Sequence, residues 1–185
     1  MRSDLYAHFA RFRIAVESAQ FFGARYVRVF SFYHEGEDAS ACREEVIDFF
    51  HRMVDVAESA NVVLLHENES HIYGDVPTRC ADLLEVVSRP ALRAAFDPAN
   101  FIQIGVDPLR DAWPRLKDRT DYFHIKDALA ESRAVVPAGY GDGGLEAILR
   151  DAVDSGFSGF LSLEPHLKAD CLLYTSDAAD DLLCV

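Results

Sequence analysis

The chain has 185 residues, half of them apolar and about a quarter charged, and its formal net charge is -13 at pH 7. This length and balance are typical of one globular domain with a sizeable core, and so acidic a surface argues against general binding to nucleic acid. The sequence has no apolar run of the roughly 18 residues that a membrane span needs. Its cysteines, Cys42, Cys80, Cys171 and Cys184, lack metal-type spacing, so we expect reduced thiols and a cytoplasmic location.

The first part of the chain alternates helical and extended patterns. Apolar residues at helical spacing predict a helix over 4–22. The run "RYVRVFSFY", 25–33, is rich in β-branched and aromatic residues and predicts a strand. A second helix is predicted over 40–60, with Ser40 as its N-cap. Four apolar residues follow at 62–65 and predict a strand that is buried on both faces.

The second part of the chain keeps this alternation. The predicted elements are helices at 77–87, 108–117 and 145–155 and strands ending at Asp97 and covering 121–128, 134–139 and 156–166. A proline inside the helix predicted at 108–117 weakens that prediction. Strands that alternate with helices favour a parallel sheet with helical crossovers.

Two architectures fit this order, an open doubly wound sheet and a closed (β/α)8 barrel. Polar residues follow four predicted strands, and these are Glu67, Asp97, His124 and Glu164. A barrel gathers the carboxyl ends of its strands around one mouth, whereas an open sheet spreads them along a line. No glycine-rich phosphate motif follows the first strand. We therefore predict an α/β chain that forms an incomplete (β/α)8 TIM barrel over 1–170, with about six of the eight strands.

The polar residues at the strand ends predict a metal site. Side chains alternate sides along a strand, so Leu65 and Glu67 share one side, and His124 and Lys126 share one side of the later strand. If the four polar side chains point into the mouth, three carboxylates crowd together and raise one another's pKa. A divalent cation removes this repulsion, and oxygen with imidazole ligands suits Mn, Mg, Co or Zn. His66 faces the other way, and we expect it to pack against the helices.

Each of these residues also has a simpler structural interpretation. A single histidine such as His124 is more often a hydrogen-bonded structural residue than a ligand. Asp97 precedes a proline and is compatible with a plain turn, and Asp127 is compatible with an N-cap. Arg28 lies between two valines of the predicted strand. Its side chain either points into the barrel or bends so that the guanidinium reaches solvent at the edge of the barrel. Four such groups at the ends of four different strands are harder to explain in this way.

Six motifs carry a resemblance to a known family. "RVFSFY", "LLHENESHIYGD", "FDPANF", "FHIKDA", "VPAGYGDGG" and "SLEPHL" occur in the same order in bacterial members of the sugar phosphate isomerase/epimerase family, within the xylose-isomerase-like (β/α)8 superfamily. The resemblance covers about residues 4–168. It implies one catalytic divalent metal ion with Glu67, Asp97, His124 and Glu164 as ligands.

The resemblance also bears on the two ends of the chain. "RVFSFY" is similar to the third barrel strand of the family, so we expect strands 3 to 8 and a fragment truncated at its N-terminus. At the other end, "CLLYTSDAADD" resembles the translated read-through of a sequencing adapter. We therefore predict a non-native tail at 171–185; the alternative is a natural C-terminal helix, although the helical periodicity of this segment is poor.

The resemblance implies a function for the mouth residues. By analogy with related epimerases, Glu67 and Glu164 would be both ligands and the acid/base pair. We expect Lys126, Asn100 and Arg28 to contact a small carbohydrate substrate; many relatives have histidine where this chain has Asn100. The predicted function is a divalent-metal-dependent isomerase or epimerase of a small sugar, sugar phosphate or related ketone, acting through an enediolate.

Three alternatives to this function stay open to different degrees. An inosose-type dehydratase would use the same ligands, because an enolate can also expel a β-hydroxyl. An apurinic endonuclease needs further histidines, and Asn100 stands where one would be expected. The third alternative is a non-catalytic fragment, because two missing strands leave two open sheet edges. Such edges would make the chain inactive or poorly soluble as it stands, and they are compatible with a homo-oligomer.

Overall fold

The computed structural model describes residues 2–33, 38–164 and 166, and the predicted tail at 171–185 lies outside these residues. Helices and strands alternate along the chain. In chain order the elements are α1 Arg2–Phe22, β1 Tyr26–Val29, α2 Arg43–Ser59, β2 Val63–Glu67, α3 Pro77–Val87, β3 Leu92–Phe96, α4 Pro98–Gln103, α5 Trp113–Leu116, β4 Thr120–Ile125, β5 Asp127–Ala128, β6 Val135–Val136, α6 Leu145–Asp154 and β7 Phe160–Leu163.

Among the described residues, one parallel sheet contains β1, β2, β3, β4 and β7 in that order. About six barrel strands are predicted from the sequence, and the sheet has five. The extended run at 134–139 contributes only β6, which pairs antiparallel with β5 in a separate two-residue hairpin. The incomplete barrel is therefore confirmed, with one strand fewer than predicted.

The sheet is strongly curled. Its edge strands are β1 and β7, and in a flat sheet the four gaps between neighbouring strands would hold these two about 19 Å apart. Instead the ring of Tyr26 on β1 lies 6.0 Å from the ring of Phe160 on β7, and the ring of Tyr122 on β4 lies 5.8 Å from Phe160. Side chains on the concave face therefore meet across the sheet, as they do inside a barrel.

The hydrophobic core lies between the convex face of the sheet and the helices. α2 contributes Phe50, Met53 and Val54, which are at most 1% exposed. On the sheet side, the fully buried ring of Phe96 lies 5.5 Å from Phe101, 5.4 Å from the indole of Trp113 and 5.8 Å from the ring of Phe123. These rings connect β3 and β4 with α4 and α5, so Phe96 stands at a junction of four elements.

The longest helix of the described part is α1, with 21 residues. Its apolar residues Phe12, Val16 and Ala19 are buried at helical spacing, whereas Phe21 and Phe22 near its end are exposed. Neither α1 nor any other described helix is long and apolar enough to cross a membrane.

The first strand and the second helix start or end differently from their predicted bounds. The strand predicted over 25–33 is shorter, because its regular pairing with β2 ends at Val29. The helix predicted from Ser40 begins at Arg43, after a 3-10 turn. Asp38, not Ser40, caps this turn: its carboxylate accepts a hydrogen bond from the Ser40 backbone amide at 3.0 Å. Capping therefore occurs two residues earlier than predicted.

The helix predicted over 108–117 is broken into three short turns. A π-helical turn at Pro108–Ala112 is followed by α5 and then by a 3-10 turn at Lys117–Arg119. Pro114 explains the break, since proline has no amide to donate and its ring clashes with the preceding turn.

The edge strand β7 exposes apolar side chains. Phe160, Leu161 and Leu163 are 59%, 54% and 75% exposed, respectively. Within the described residues, β7 pairs on one side only, with β4. An exposed apolar edge is a place where another strand can pair, so the open edges expected from the sequence are present, and association through them stays a prediction.

We predict that Phe96→Ala lowers the free energy of unfolding by about 3–5 kcal/mol, the usual range for truncating a fully buried phenylalanine. Three aromatic neighbours lose their contact with the ring at once. Chemical denaturation followed by circular dichroism measures the change. The matched control is Phe21→Ala, since Phe21 is 84% exposed, and it should change the free energy by less than about 0.5 kcal/mol. Equal effects of the two changes would contradict this assignment of the core.

Candidate metal centre

Four ionisable side chains lie at the carboxyl ends of four neighbouring strands. Glu67 is the last residue of β2, His124 is near the end of β4, and Asp97 and Glu164 directly follow β3 and β7. The strands are parallel, so these ends lie at one edge of the sheet. Because the sheet is curled, that edge is an arc, and side chains on its concave side converge.

The four residues meet around one point. Each offers one nitrogen or carboxylate oxygen such that all four atoms lie within 4.8 Å of one another. His124 Nδ1 lies 2.8 Å from Glu67 Oε1 and 3.5 Å from Glu164 Oε2. Glu67, Asp97 and His124 are buried, and only Glu164 is partly open to solvent. The structure thus brings together all four residues that the sequence predicts as ligands.

Burial and mutual charge shift the pKa values of these groups. Burial raises the pKa of Asp97 to about 7, although Lys126 and the backbone amide of Asn100 act to lower it. Burial lowers the pKa of His124, but the hydrogen bond and charge of Glu67, together with Glu164 and Asp97, outweigh burial and raise it above its ordinary value. Burial raises the pKa of Glu164, but Lys126 and His124 outweigh burial and lower it, so this carboxylate is ionised at neutral pH.

Two basic residues balance part of the negative charge. Lys126 is buried, and its Nζ lies 2.8 Å from Asp97 Oδ2 and 3.1 Å from Glu164 Oε2. Arg28 is half exposed at the end of β1, and its Nη1 lies 3.0 Å from Glu67 Oε2 and 3.6 Å from Glu164 Oε1. Arg28 therefore points into the mouth. Lys126 and Arg28, the two basic residues predicted as substrate contacts, both pair with carboxylates of the site.

One carboxylate oxygen has the Lys126 ammonium as its partner. Asp97 Oδ2 is buried and forms an ion pair with Lys126 Nζ at 2.8 Å. The other oxygen, Oδ1, accepts a hydrogen bond from the Asn100 backbone amide at 3.0 Å and caps α4. A buried carboxylate needs a cationic or hydrogen-bonding partner, so Oδ2 is also suited to bind a metal cation. The donor set of three carboxylates and one imidazole also suits a divalent metal ion.

Two asparagines support the ligands. The Asn68 side chain accepts a hydrogen bond from the Asp97 backbone amide and donates one to the Asp97 carbonyl, both at 2.9 Å. The buried Asn100 side chain donates to the Asn68 carbonyl at 2.8 Å and to Glu67 Oε1 at 3.4 Å. Sequence reasoning overlooked Asn68, although its place directly after Glu67 in "HENE" was a signal. Contact of Asn100 with a substrate stays a prediction.

His66 and Asp127 have structural roles beside the site. His66 lies on the helix-facing side as predicted: its Nε2 is 2.9 Å from Ser31 Oγ, and its ring packs against Phe50. Asp127 is not the cap of a helix. Its buried carboxylate instead accepts hydrogen bonds from the backbone amides of Ala128, Gly139, Gly141 and Gly143 at 2.9–3.0 Å.

Gly141 and Gly143 lie too close to the Asp127 carboxylate to carry a side chain. A Cβ on Gly141 would lie 2.4 Å from Asp127 Oδ1, and one on Gly143 would lie 2.7 Å from it. The carboxylate thus anchors the glycine-rich loop and fixes the backbone directly after Lys126.

Solved structures share this fold. A xylose isomerase domain protein from Planctomyces limnophilus is 24% identical, with a TM-score of 0.71 over 86% of this chain and 59% of that one. A xylose isomerase-like TIM barrel protein from Mycobacterium smegmatis, in complex with magnesium, is 17% identical, with a TM-score of 0.71 over 86% and 60%. A probable 3-DHS dehydratase of petrobactin synthesis from Bacillus anthracis is 19% identical, with a TM-score of 0.73 over 87% and 64%.

The chain thus spans about three fifths of the length of each of these solved chains. No curated protein sequence matches it significantly. Residues 3–180 match the model of one protein family, described as the xylose isomerase-like TIM barrel. That match covers nearly the whole chain and agrees with the curled parallel sheet described above. The chain therefore belongs to the xylose isomerase-like TIM barrel family.

Proposed function

We propose that this chain carries the catalytic metal site of a divalent-metal-dependent isomerase or epimerase that acts on a small sugar, sugar phosphate or related ketone. The observation that carries the proposal is the convergence of Glu67, Asp97, His124 and Glu164 from four strands within 4.8 Å. The complex of a similar fold with magnesium supports a cation of this class. A similar fold named for xylose isomerase supports the reaction type.

The four residues fit a divalent cation. They offer three hard carboxylate oxygens and one imidazole nitrogen, which suits Mn, Mg, Co or Zn. Asp97 Oδ2 is buried and paired with the Lys126 ammonium, so it already binds a cationic group at the place where a metal ion would bind. When bound, a divalent cation would polarise a ketose carbonyl and stabilise the negative charge that develops on its oxygen.

Glu67 and Glu164 are placed to move protons. One carboxylate takes the proton from the carbon beside the carbonyl, and the electrons of that C–H bond form the double bond of an enediolate. A proton returned to the opposite face of the same carbon gives the epimer. A proton returned to the former carbonyl carbon, while the hydroxyl proton of the enediolate passes to the other oxygen, gives the isomer. Glu164 is in the protonation state that a base needs, because Lys126 and His124 outweigh burial and favour its ionised form.

The basic groups of the mouth would orient the substrate. Arg28 contacts both glutamates and keeps about half of its side chain exposed, so we expect it to contact a substrate that enters the mouth. Lys126 Nζ has donors for a hydroxyl or phosphate oxygen. The Asn68 side chain holds the backbone of Asp97, and the Asn100 side chain contacts Glu67, so two of the proposed ligands are supported by amide side chains.

We predict that the chain binds one Mn²⁺ and that Asp97→Asn weakens binding by more than the roughly 10- to 100-fold that loss of an outer partner costs. Asparagine keeps the size and the capping oxygen of Asp97 but not the anionic ligand. Isothermal titration calorimetry of the chain with MnCl2 measures both affinities. The matched control is Asp121→Asn. Asp121 lies at the other end of β4 and pairs with Arg93, so this variant should bind Mn²⁺ with the affinity of the wild type. A wild-type chain that binds no metal would sink the proposal.

We further predict that Glu67→Gln and Glu164→Gln each slow proton exchange by at least about 100-fold, the contribution of a general acid or base. The full-length gene product is incubated with Mn²⁺ and a panel of ketoses in D2O, and NMR follows deuterium at the carbon beside the carbonyl. Glu69→Gln is the control, because Glu69 bonds only to its neighbour Ser70 among the contacts of the described residues.

The same assay separates the alternatives. Exchange followed by an epimer or isomer supports the proposal, whereas exchange followed by loss of water supports the dehydratase, which the similarity to a probable dehydratase also permits. The 185-residue chain assayed in parallel should show no turnover, because the five parallel strands of its described part line only part of an eight-stranded mouth. Full metal binding without any exchange in the full-length product would contradict the isomerase.

A further inference from the structure

Lys126 lies between two of the proposed metal ligands. Its Nζ is 2.8 Å from Asp97 Oδ2 and 3.1 Å from Glu164 Oε2, and only 6% of the residue is exposed. An ammonium so deeply placed needs carboxylate partners, since a buried unpaired charge is costly. Here the partners are the same residues that a metal ion would use.

The ammonium and a metal ion would compete for the same oxygens. Asp97 Oδ1 caps α4, so Oδ2, which pairs with Lys126 Nζ, is the oxygen of that carboxylate that a metal ion would take. Glu164 Oε2 lies 3.5 Å from His124 Nδ1 as well as 3.1 Å from Lys126 Nζ, so it belongs to the point where the ligands converge. An ammonium bound at these two atoms would stand within a few ångströms of a bound divalent cation, and like charges so close repel strongly.

On the basis of the proposed metal site, we propose that Lys126 is a displaceable counter-cation. In the metal-free protein its ammonium holds Asp97 and Glu164 together. A divalent ion takes these oxygens and releases the ammonium toward the open mouth, where it contacts an electronegative oxygen of the substrate. The residue thus has two successive partners, the ligands first and the substrate afterwards.

Such a movement would involve the side chain of Lys126 and not its backbone. The next residue, Asp127, is anchored through four backbone amides, so the backbone at Lys126 is fixed. A lysine side chain has four rotatable bonds and no preferred fork geometry, which makes its ammonium easy to relocate. Arg28 is different, because it is half exposed and its guanidinium contacts Glu67 and Glu164 but not the buried Asp97.

The test compares Lys126→Met with the wild-type chain. Methionine keeps much of the length of the side chain and removes the charge. We expect the variant to bind Mn²⁺ at least tenfold more tightly by calorimetry, because no ammonium has to be displaced. With EDTA present we expect its melting temperature to fall below that of the wild type, because Asp97 and Glu164 then lack their counter-cation.

The matched control is Lys117→Met. It removes the same charge from a lysine that pairs with Asp151 on the outer side of the chain, and it should change Mn²⁺ affinity less than twofold. An affinity of Lys126→Met that is equal to or weaker than that of the wild type, while the wild type binds Mn²⁺ normally, overturns the counter-cation role and leaves the proposed function intact. Absence of Mn²⁺ binding in the wild type overturns both.

A second measurement keeps the test valid if Lys126→Met does not fold. Wild-type chain labelled with ¹³C at the lysine ε-carbons is titrated with diamagnetic Mg²⁺. The ε-methylene resonance of Lys126 is assigned as the one that is missing from the spectrum of Lys126→Arg. It should shift as the metal binds. A resonance that stays in place as the metal saturates the site overturns the displacement.

Discussion

The concentration of negative charge at the mouth of the curled sheet is the constraint on which the site depends. Two like charges about 4 Å apart near a protein surface repel by about 4 kcal/mol, and Glu67, Asp97 and Glu164 offer atoms within 4.8 Å. The strands hold these groups together whether or not they repel, because parallel pairing and curvature set where their carboxyl ends meet. Cationic groups must therefore balance them, and the described residues supply Lys126, Arg28 and the imidazole of His124.

The acidic ligands and the cationic groups that balance them are held by different kinds of contact. Asp97 is fixed through its backbone by Asn68, through its side chain by the cap of α4, and by burial. The charged end of Lys126 is positioned by the carboxylates of Asp97 and Glu164. That of Arg28 is positioned by two glutamates and by the ring of Phe30. Asp97 is thus held by the backbone and by short polar contacts, whereas the counter-charges are at the ends of long side chains with more rotatable bonds.

Local pattern was sufficient to predict the residues that converge but not the contacts between them. Strand periodicity identified Glu67 and His124 because a side chain's face depends only on its position in the strand. Asn68 was missed because its role depends on the register between β2 and β3, which pairs distant residues. The run at Val135–Val136 resembled a barrel strand because two β-branched residues favour extended backbone in either setting, and only tertiary pairing places them in a hairpin. Pro114 was a local signal for a break in the helix, and in the structure its effect outweighs the helical spacing of the apolar residues around it.

The proposed metal ligands come from only four strands, whereas a complete catalytic site would need more of the barrel mouth. All four proposed ligands come from β2, β3, β4 and β7, which are consecutive neighbours in the described sheet, so the metal site needs no other strand. Enclosing a substrate needs the whole ring of strand ends, since the active sites of barrels are built from loops around the full mouth. Arg28 on β1 is the last group on the arc that reaches the glutamates. The arc therefore contains all four proposed ligands, whereas a complete barrel mouth is built from more strand ends than the described sheet supplies.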